Sequence, residues 1–256
     1  MFDSHCHLTD IDDPGGVLES TVAAGVRSVL TCGYHAESNR AVLELVGRYP
    51  DLPYGLGLHP WYANESLEPV LELIRREPPT AIGEAGLDLW GETPPQPLDR
   101  QLEVLEAQLD LARRLGLPVT LHSRKAVPEL LAAIRRYVGV RGALHAFSGS
   151  YEQAKEFLDL GFYVGIGGAV TRPRAKRVRR CAAALPIDCI VVETDSPAIG
   201  MDTVEPPNVR PWHVRRVVEA IAELRCMAVE EVEGQTDENA TRLFGGKVRV
   251  NSAARR

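Results

Sequence analysis

Residues 80–122 read TAIGEAGLDLWGETPPQPLDRQLEVLEAQLDLARRLGLPVTLH and contain a complete strand–helix–strand unit. Short apolar runs at 80–87 and 118–122 have the length and composition of buried strands. Between them, in 96–116, leucines recur at three- and four-residue steps, which predicts an amphipathic helix, and Gly116 is a typical helix stop. Two strands joined in this way pair in parallel through a right-handed crossover. The unit therefore predicts an α/β protein with a parallel sheet.

The same alternation of short apolar runs and longer, charged segments continues along the chain. Eight strand candidates lie at 1–5, 27–33, 53–59, 80–87, 118–122, 142–147, 162–167 and 188–194. Eight helix candidates lie at 15–25, 36–48, 66–77, 96–116, 126–138, 151–160, 172–184 and 211–225. Eight such units in 256 residues fit a single-domain (β/α)8 TIM barrel better than two domains. An open doubly wound sheet is the alternative. We place the barrel at 1–245 and a polar C-terminal tail at 246–256.

Composition and charge narrow the class of protein. The chain is 45% hydrophobic and 25% charged with a formal net charge of -6, which is typical of a globular protein and not of a basic protein that coats nucleic acid. Its five cysteines form no Cys-x-x-Cys pair, which indicates reduced thiols in a cytoplasmic protein. The sequence shows neither a secretory signal nor an apolar run of about 18 residues, so we expect no membrane span. No obligate protein partner is evident.

Ionisable residues gather at the C-terminal ends of the predicted strands, where the active sites of such barrels lie. Five of the seven histidines are there, namely His5, His7, His59, His122 and His145. Glu84 ends the fourth strand and Asp195 the eighth. A single histidine or acid in such a place is more often an ordinary buried side chain. Their common position indicates a divalent-metal site in a hydrolase.

The His5-x-His7 pair directs two imidazoles to one face of the first strand, with Asp3 below them on that face. Cys6 points the opposite way and is predicted to be a core thiol. Imidazole ligands favour zinc, nickel, cobalt or manganese over calcium. We therefore expect zinc, while magnesium can act when it is present in excess.

Two carboxylates complete the predicted chemistry. Glu84 has glycines close by on both sides and can bridge two cations through its two oxygens. Asp195 is assigned to the metal and to accepting a proton from the attacking water. Glu193 and Asp3 are expected to support the ligands from behind. Asp88 shares a face with Glu84 if the strand reaches that far, but we interpret it as a loop residue.

Three further side chains are candidate substrate contacts. His59 precedes a proline and either touches substrate or packs beneath Trp61. Arg124 shares a side with His122. Arg172 opens a dense basic run that follows the seventh strand, where cations can hold phosphate, although such a run usually only solvates a helix.

The chain resembles the TatD-type metal-dependent hydrolases, often described as deoxyribonucleases, and most of all their bacterial YjjV-like subgroup. The resemblance covers nearly the whole chain, and its motifs occur in the family's order: DSHCHL (3–8), GLHP (57–60), IGEAGLD (82–88), LPVTLHSR (117–124), HAFSGS (145–150), VETDSP (192–197) and, for the terminal helix, NATRLFG (239–245).

The resemblance implies a TIM barrel with two divalent metal ions. It implies that His5, His7 and Asp195 bind the first ion, that His122 and His145 bind the second, and that Glu84 bridges the two. It also implies a phosphodiesterase that acts on DNA ends, with DNA as a transient partner. This substrate rests on the resemblance alone.

Two other functions are compatible with the same residues. A metal-dependent hydrolase of a small-molecule ester, lactone or amide would use the same ligands, and the acidic net charge favours it mildly. A barrel that keeps metal only as a structural support, or a scaffold that binds a partner, is the non-enzymatic alternative. Structural zinc sites are usually closed and rich in cysteine, so the predicted set of histidines and carboxylates argues against it.

Overall fold

The structure is a computed structural model that describes residues 1–91 and 95–245. The tail predicted at 246–256 and residues 92–94 lie outside the described residues. Eight strands form one parallel sheet in chain order: β1 (Phe2–Cys6), β2 (Ser28–Cys32), β3 (Tyr54–Leu56), β4 (Ala81–Asp88), β5 (Val119–Arg124), β6 (Gly142–Leu144), β7 (Phe162–Ile166) and β8 (Ile190–Val192).

The first and last strands meet just beyond the end of β8. Cys6 pairs in parallel with Ser196. The backbone N–H of His7 donates to the Ser196 carbonyl at 2.7 Å, and that of Asp195 donates to the His5 carbonyl at 2.9 Å. The sheet is therefore a nearly closed barrel, which confirms the predicted TIM-barrel fold and excludes the open sheet.

Nine α-helices surround the barrel within the described ranges. They are α1 (Pro14–Ala23), α2 (Ala36–Arg48), α3 (Glu68–Arg76), α4 (Leu98–Leu115), α5 (Val127–Ile134), α6 (Tyr151–Asp159), α7 (Lys176–Ala184), α8 (Val214–Arg225) and α9 (Val229–Phe244). The first eight confirm the predicted helices, and α9 contains the segment that resembles the family's terminal helix. Among the described helices, none has both the length and the apolar character needed to cross a bilayer.

Helix α7 begins four residues later than predicted. A short 3-10 helix covers Gly168–Thr171, and the α-helix starts only at Lys176. Pro173 explains why Arg172 is extended, because the residue before a proline is disfavoured in the helical conformation. The first residues of the basic run therefore belong to a loop at the C-terminal end of β7.

Helix α4 is anchored to the ends of two strands by buried glutamines. The Gln108 side chain accepts from the Leu58 N–H at 2.9 Å and donates to the Leu58 carbonyl at 3.1 Å. Gln101 forms the same pair of bonds with the backbone of Asp88, at 2.8 and 2.9 Å. These bonds satisfy buried backbone groups just beyond β3 and at the last residue of β4. They hold the segments that follow β3 and β4 in place.

Candidate metal centre

The imidazoles of His5 and His7 converge on two carboxylates at the end of β1. Nε2 of His7 lies 3.3 Å from both Glu84 Oε2 and Asp195 Oδ1. Nε2 of His5 lies 3.5 and 3.8 Å from the same two oxygens. Ligand atoms of a tetrahedral ion with bonds of about 2.0–2.1 Å lie about 3.4 Å apart. The donor atoms of His5, His7 and Glu84 therefore have the spacing of a divalent-cation site, and Asp195 lies beside both imidazoles.

The other oxygen of Glu84 faces a second group of histidines. Oε1 lies 2.8 Å from His145 Nε2, 3.2 Å from His122 Nδ1 and 3.2 Å from His59 Nε2. His122 Nδ1 and His145 Nε2 are 3.2 Å apart. The two groups adjoin, because the ring of His145 stacks on His5 with 4.1 Å between centroids. Glu84 is thus placed to bridge two adjacent cations.

Two buried atoms in the first group have no hydrogen-bond partner among the described residues: His5 Nε2 and Asp195 Oδ1. A buried polar atom without a partner destabilises a fold. A divalent cation between them would satisfy both atoms, and nitrogen with carboxylate oxygen is a donor set that zinc and related ions prefer. The residues at this place therefore fit a metal ion.

Hydrogen bonds on the far side of three rings direct the near nitrogen inward. Nδ1 of His7 lies 2.9 Å from the Cys32 carbonyl, to which it donates. Nδ1 of His5 lies 2.9 Å from Thr120 Oγ1. Nε2 of His122 lies 3.1 Å from a carboxylate oxygen of Asp88. A proton held on the outer nitrogen leaves the inner nitrogen free as a metal ligand.

His59 has the opposite tautomer. Its Nδ1 accepts a hydrogen bond from the backbone N–H of Trp61 at 3.2 Å, so the proton sits on Nε2 and points toward Glu84. Burial lowers the pKa of His59 to about 4, against the opposing effect of Glu84. The side chain is therefore a neutral hydrogen-bond donor in the cavity. That chemistry fits the predicted substrate contact and does not fit a metal ligand.

Asp88 is the member of the centre that our loop interpretation misplaced. It is the last residue of β4, and its carboxylate is buried. Besides His122, it accepts from Trp61 Nε1 at 2.7 Å and from the backbone N–H of Trp90 at 2.9 Å. Burial favours the neutral acid, but these bonds outweigh it and lower the pKa of Asp88 to about 2. The sequence did contain a signal for this role: Asp88 follows Glu84 by four residues, and residues four apart on one strand share a face.

Two acids lie behind the donor groups, as predicted. The Asp3 carboxylate accepts from the N–H of Thr194 at 2.8 Å and from its hydroxyl at 2.6 Å, and burial raises the pKa of Asp3 to about 7. Glu193 accepts from the N–H of Ala146. Burial raises the pKa of Glu193 well above its usual value. Asp3 therefore holds the segment next to Asp195, and Glu193 the segment next to His145.

A cavity of about 850 Å³ opens above these groups. Arg124, a predicted substrate contact, is part of its wall. The other basic residues of the wall follow β7, and they are Arg174, Lys176 and Arg177. The structure does not place Arg172 in the wall; its guanidinium lies beside Gly200. The turn before Pro173 separates Arg172 from the residues that reach the cavity, so Arg174 and Arg177 lie in the wall where Arg172 was expected.

Comparison with known proteins agrees with the fold and the site. The family described as TatD related DNase matches residues 2–245. This chain belongs to the TatD family. Over 254 residues it is 36% identical to YjjV of Escherichia coli, named as an uncharacterized metal-dependent hydrolase, and the match covers 95% of this chain and 97% of YjjV. The crystal structure of that YjjV superimposes with a TM-score of 0.88 over 96% of this chain and 98% of the other, at 34% identity.

Relatives from two other organisms also match this chain. YabD of Bacillus subtilis, also named as an uncharacterized metal-dependent hydrolase, is 33% identical over 95% of this chain and 98% of its own length. A Danio rerio protein named as a candidate deoxyribonuclease is 33% identical over 95% of this chain and 97% of its own length. Family membership and the donor groups together make the protein a metal-dependent hydrolase, as the sequence predicted.

Proposed function

We propose that this TatD-family hydrolase is a phosphodiesterase that acts on DNA ends and uses two divalent metal ions, with zinc as the expected ion. The observation that carries the proposal is the position of Glu84, whose two oxygens face two different groups of histidines. Two cations held by one carboxylate lie about 3.5–4 Å apart, which is the arrangement that clamps the attacking and leaving oxygens of a phosphoryl group.

Charge in the cavity wall supports an anionic, phosphate-containing substrate. Arg124, Arg174, Lys176 and Arg177 all lie in the wall, although the whole chain has a formal net charge of -6. Such a local concentration of cations on an acidic protein favours phosphodiesters over neutral esters or amides. The name of the Danio rerio relative supports DNA as the phosphodiester.

The proposed ligands are His5, His7 and Asp195 for one ion, His122 and His145 for the other, with Glu84 between them. When bound, the ions supply an activated water and neutralise charge on the phosphoryl oxygens. Asp195 accepts the proton of the attacking water at its carboxylate. His59 donates a hydrogen bond from Nε2–H to a substrate oxygen and keeps its proton. Arg124 and the cations after β7 hold the phosphates of the substrate and orient the bond that is cleaved.

The test is hydrolysis of end-labelled oligonucleotides of defined 5′ and 3′ ends by metal-free protein reconstituted with zinc, manganese, cobalt, nickel or magnesium. We expect shortening from an end, and two bound ions per chain by elemental analysis. Glu84→Gln keeps the side chain's size but removes its charge, so we expect a loss of at least about 100-fold in kcat and of at least one ion. Glu44→Gln, an exposed helix position, is the matched control.

A panel of small esters, lactones and amides is assayed in parallel. Turnover of a member of that panel, with no phosphodiester cleaved with any metal, would contradict the proposal and favour the small-molecule alternative. Retention of both ions and full nuclease activity by Glu84→Gln would contradict the bridging role.

A further inference from the structure

The cavity has two chemically different sides. The segments after β2 and β3 contribute aromatic residues, namely Tyr34, Trp61 and Tyr62. The segment after β7 contributes Arg174, Lys176 and Arg177. In a barrel of eight strands in chain order, β3 and β7 are four positions apart and so lie on opposite sides of the axis. The aromatic side and the basic side therefore face each other across the candidate metal centre.

Trp61 is the most accessible aromatic residue on the aromatic side, with 47% of its surface exposed. Exposed tryptophans without a partner are unusual, because burial of an indole is strongly favourable. This indole is also held in place: its Nε1 donates to Asp88 Oδ2 at 2.7 Å, and its ring meets that of His59 at an angle of 82°. Both neighbours belong to the candidate centre.

The indole is therefore a fixed aromatic surface beside the reacting groups. A mobile surface tryptophan would lose conformational entropy on binding a ligand, whereas Trp61 is already oriented. Its only polar hydrogen is committed to Asp88, so the remaining interaction that it offers is ring stacking. A planar, unpaired nucleobase is the part of a DNA end that uses such a surface.

We propose that Trp61 forms a nucleobase subsite, on which the base of the nucleotide next to the cleaved bond stacks. This inference rests on the proposed action on DNA ends. The cations after β7 then hold the phosphate on the other side of the bond. In the described part of the chain, none of Arg174, Lys176 and Arg177 forms an ion pair with a carboxylate, so their charges remain available for phosphate.

The experiment compares single-stranded oligonucleotides that differ only in the presence of a base at the terminal nucleotides. Binding is measured by fluorescence anisotropy in EDTA, where no cleavage occurs, and KM and kcat are measured with metal restored. We expect Trp61→Ala to weaken binding of the normal strand about tenfold, within the range for stacking of one base on an aromatic ring. Binding of the abasic strand should not change.

Two further variants separate stacking from an indirect effect. Trp61→Phe keeps a ring but loses the bond to Asp88, so it should bind the normal strand almost as well as the wild type. Trp61→Leu also lacks the aromatic ring, but its side chain is larger than that of alanine and covers more of the surface. If Trp61→Phe is as defective as Trp61→Ala, Trp61 acts through Asp88 and the subsite does not exist.

The outcomes distinguish this inference from the proposed function. Equal weakening of normal and abasic strands by Trp61→Ala, or no weakening of either, overturns the nucleobase subsite while oligonucleotide cleavage by the wild type still stands. Base-dependent binding that is lost in Trp61→Ala supports the subsite even if no oligonucleotide is cleaved, and in that case the proposed nuclease function alone fails.

Discussion

The carboxylate of Asp88 accepts a hydrogen bond from Nε2 of His122 across 3.1 Å. This contact determines which nitrogen of His122 faces Glu84, because a proton held at Nε2 leaves Nδ1 with its lone pair directed into the centre. Burial lowers the pKa of His122, but its bonds to Asp88 and Glu84 raise it to about 9 in the metal-free protein. A cation at this place must therefore displace a proton from His122.

Loss of the Asp88 carboxylate should weaken binding at the second proposed ion site. We expect Asp88→Ala to lower the affinity of that site for zinc about 10- to 100-fold, since His122 would no longer be held in its binding tautomer. Calorimetric titration of metal-free protein measures the two binding steps separately. Asp110→Ala removes a partly exposed acid of α4 that pairs with two arginines outside the centre, and it is the control. An equal loss of zinc affinity in both variants, or no loss in Asp88→Ala, would refute the role of Asp88 in positioning His122.

The barrel was predictable because parallel strands that are buried on both faces are continuous apolar runs, separated by amphipathic helices. Strand β4 is buried at every residue, and α4 begins and ends within two residues of its predicted bounds. The ends of elements were less predictable. The start of α7 depends on a proline and on a short 3-10 helix, which hydrophobic periodicity does not detect.

The centre was predictable to the extent that it follows from strand ends. Residues as distant in the chain as His5 and Asp195 meet because parallel strands in a barrel finish at one face. Asp88 also lies at a strand end, but its role depends on contacts with His122, Trp61 and a buried glutamine from three other elements, which the strand pattern does not describe. The position of Arg172 depended on a turn that the charge pattern does not describe.

The basic side of the cavity should determine how binding of DNA depends on salt. Each phosphate contact with a single strand contributes about 0.7 to the slope of log affinity against log salt. We expect the double variant Arg174→Ala, Arg177→Ala to reduce that slope by about 1.4, as measured by anisotropy in EDTA between 50 and 200 mM salt. Arg180→Ala is the control, because Arg180 is also an arginine of this region but pairs with Glu152 outside the cavity wall. The salt slope of this variant should match that of the wild type. An unchanged slope in the double variant would exclude these phosphate contacts.

Gly86 is required where β4 passes β5. It has φ +148°, and a Cβ at this position would lie 2.0 Å from the backbone carbonyl oxygen of His122. Because that obstacle is backbone, Gly86→Ala should lower the free energy of unfolding by at least about 3 kcal/mol, as measured by urea denaturation. Gly47→Ala lies in α2 with no atom within 4 Å of the added methyl group, and it should stabilise by about 0.5–1 kcal/mol. If Gly86→Ala lowers the free energy of unfolding by less than about 1 kcal/mol, the close approach of residue 86 to the backbone of His122 is contradicted.

The buried acid Asp3 should make the stability of the metal-free protein depend on pH. Burial raises the pKa of Asp3 from 3.8 to about 7 in the folded protein, while in the unfolded chain the acid ionises near its usual value. Between these two values the folded state binds more protons than the unfolded state, so stability falls as pH rises. The shift between the two pKa values corresponds to about 4 kcal/mol in the free energy of unfolding, which is lost as pH rises from about 4 to about 7.

Asp3→Asn removes this ionisation and keeps the size of the side chain. The amide oxygen can still accept from the Thr194 N–H, and the amide nitrogen can donate to the Thr194 hydroxyl. We expect the variant and the wild type to have similar free energies of unfolding below about pH 4, and the variant to be more stable above about pH 7. Urea denaturation in EDTA across this range measures the difference. A difference between the two proteins that does not change with pH would show that Asp3 has the same pKa in the folded and unfolded states. Its bonds to Thr194 would then offset the cost of burial.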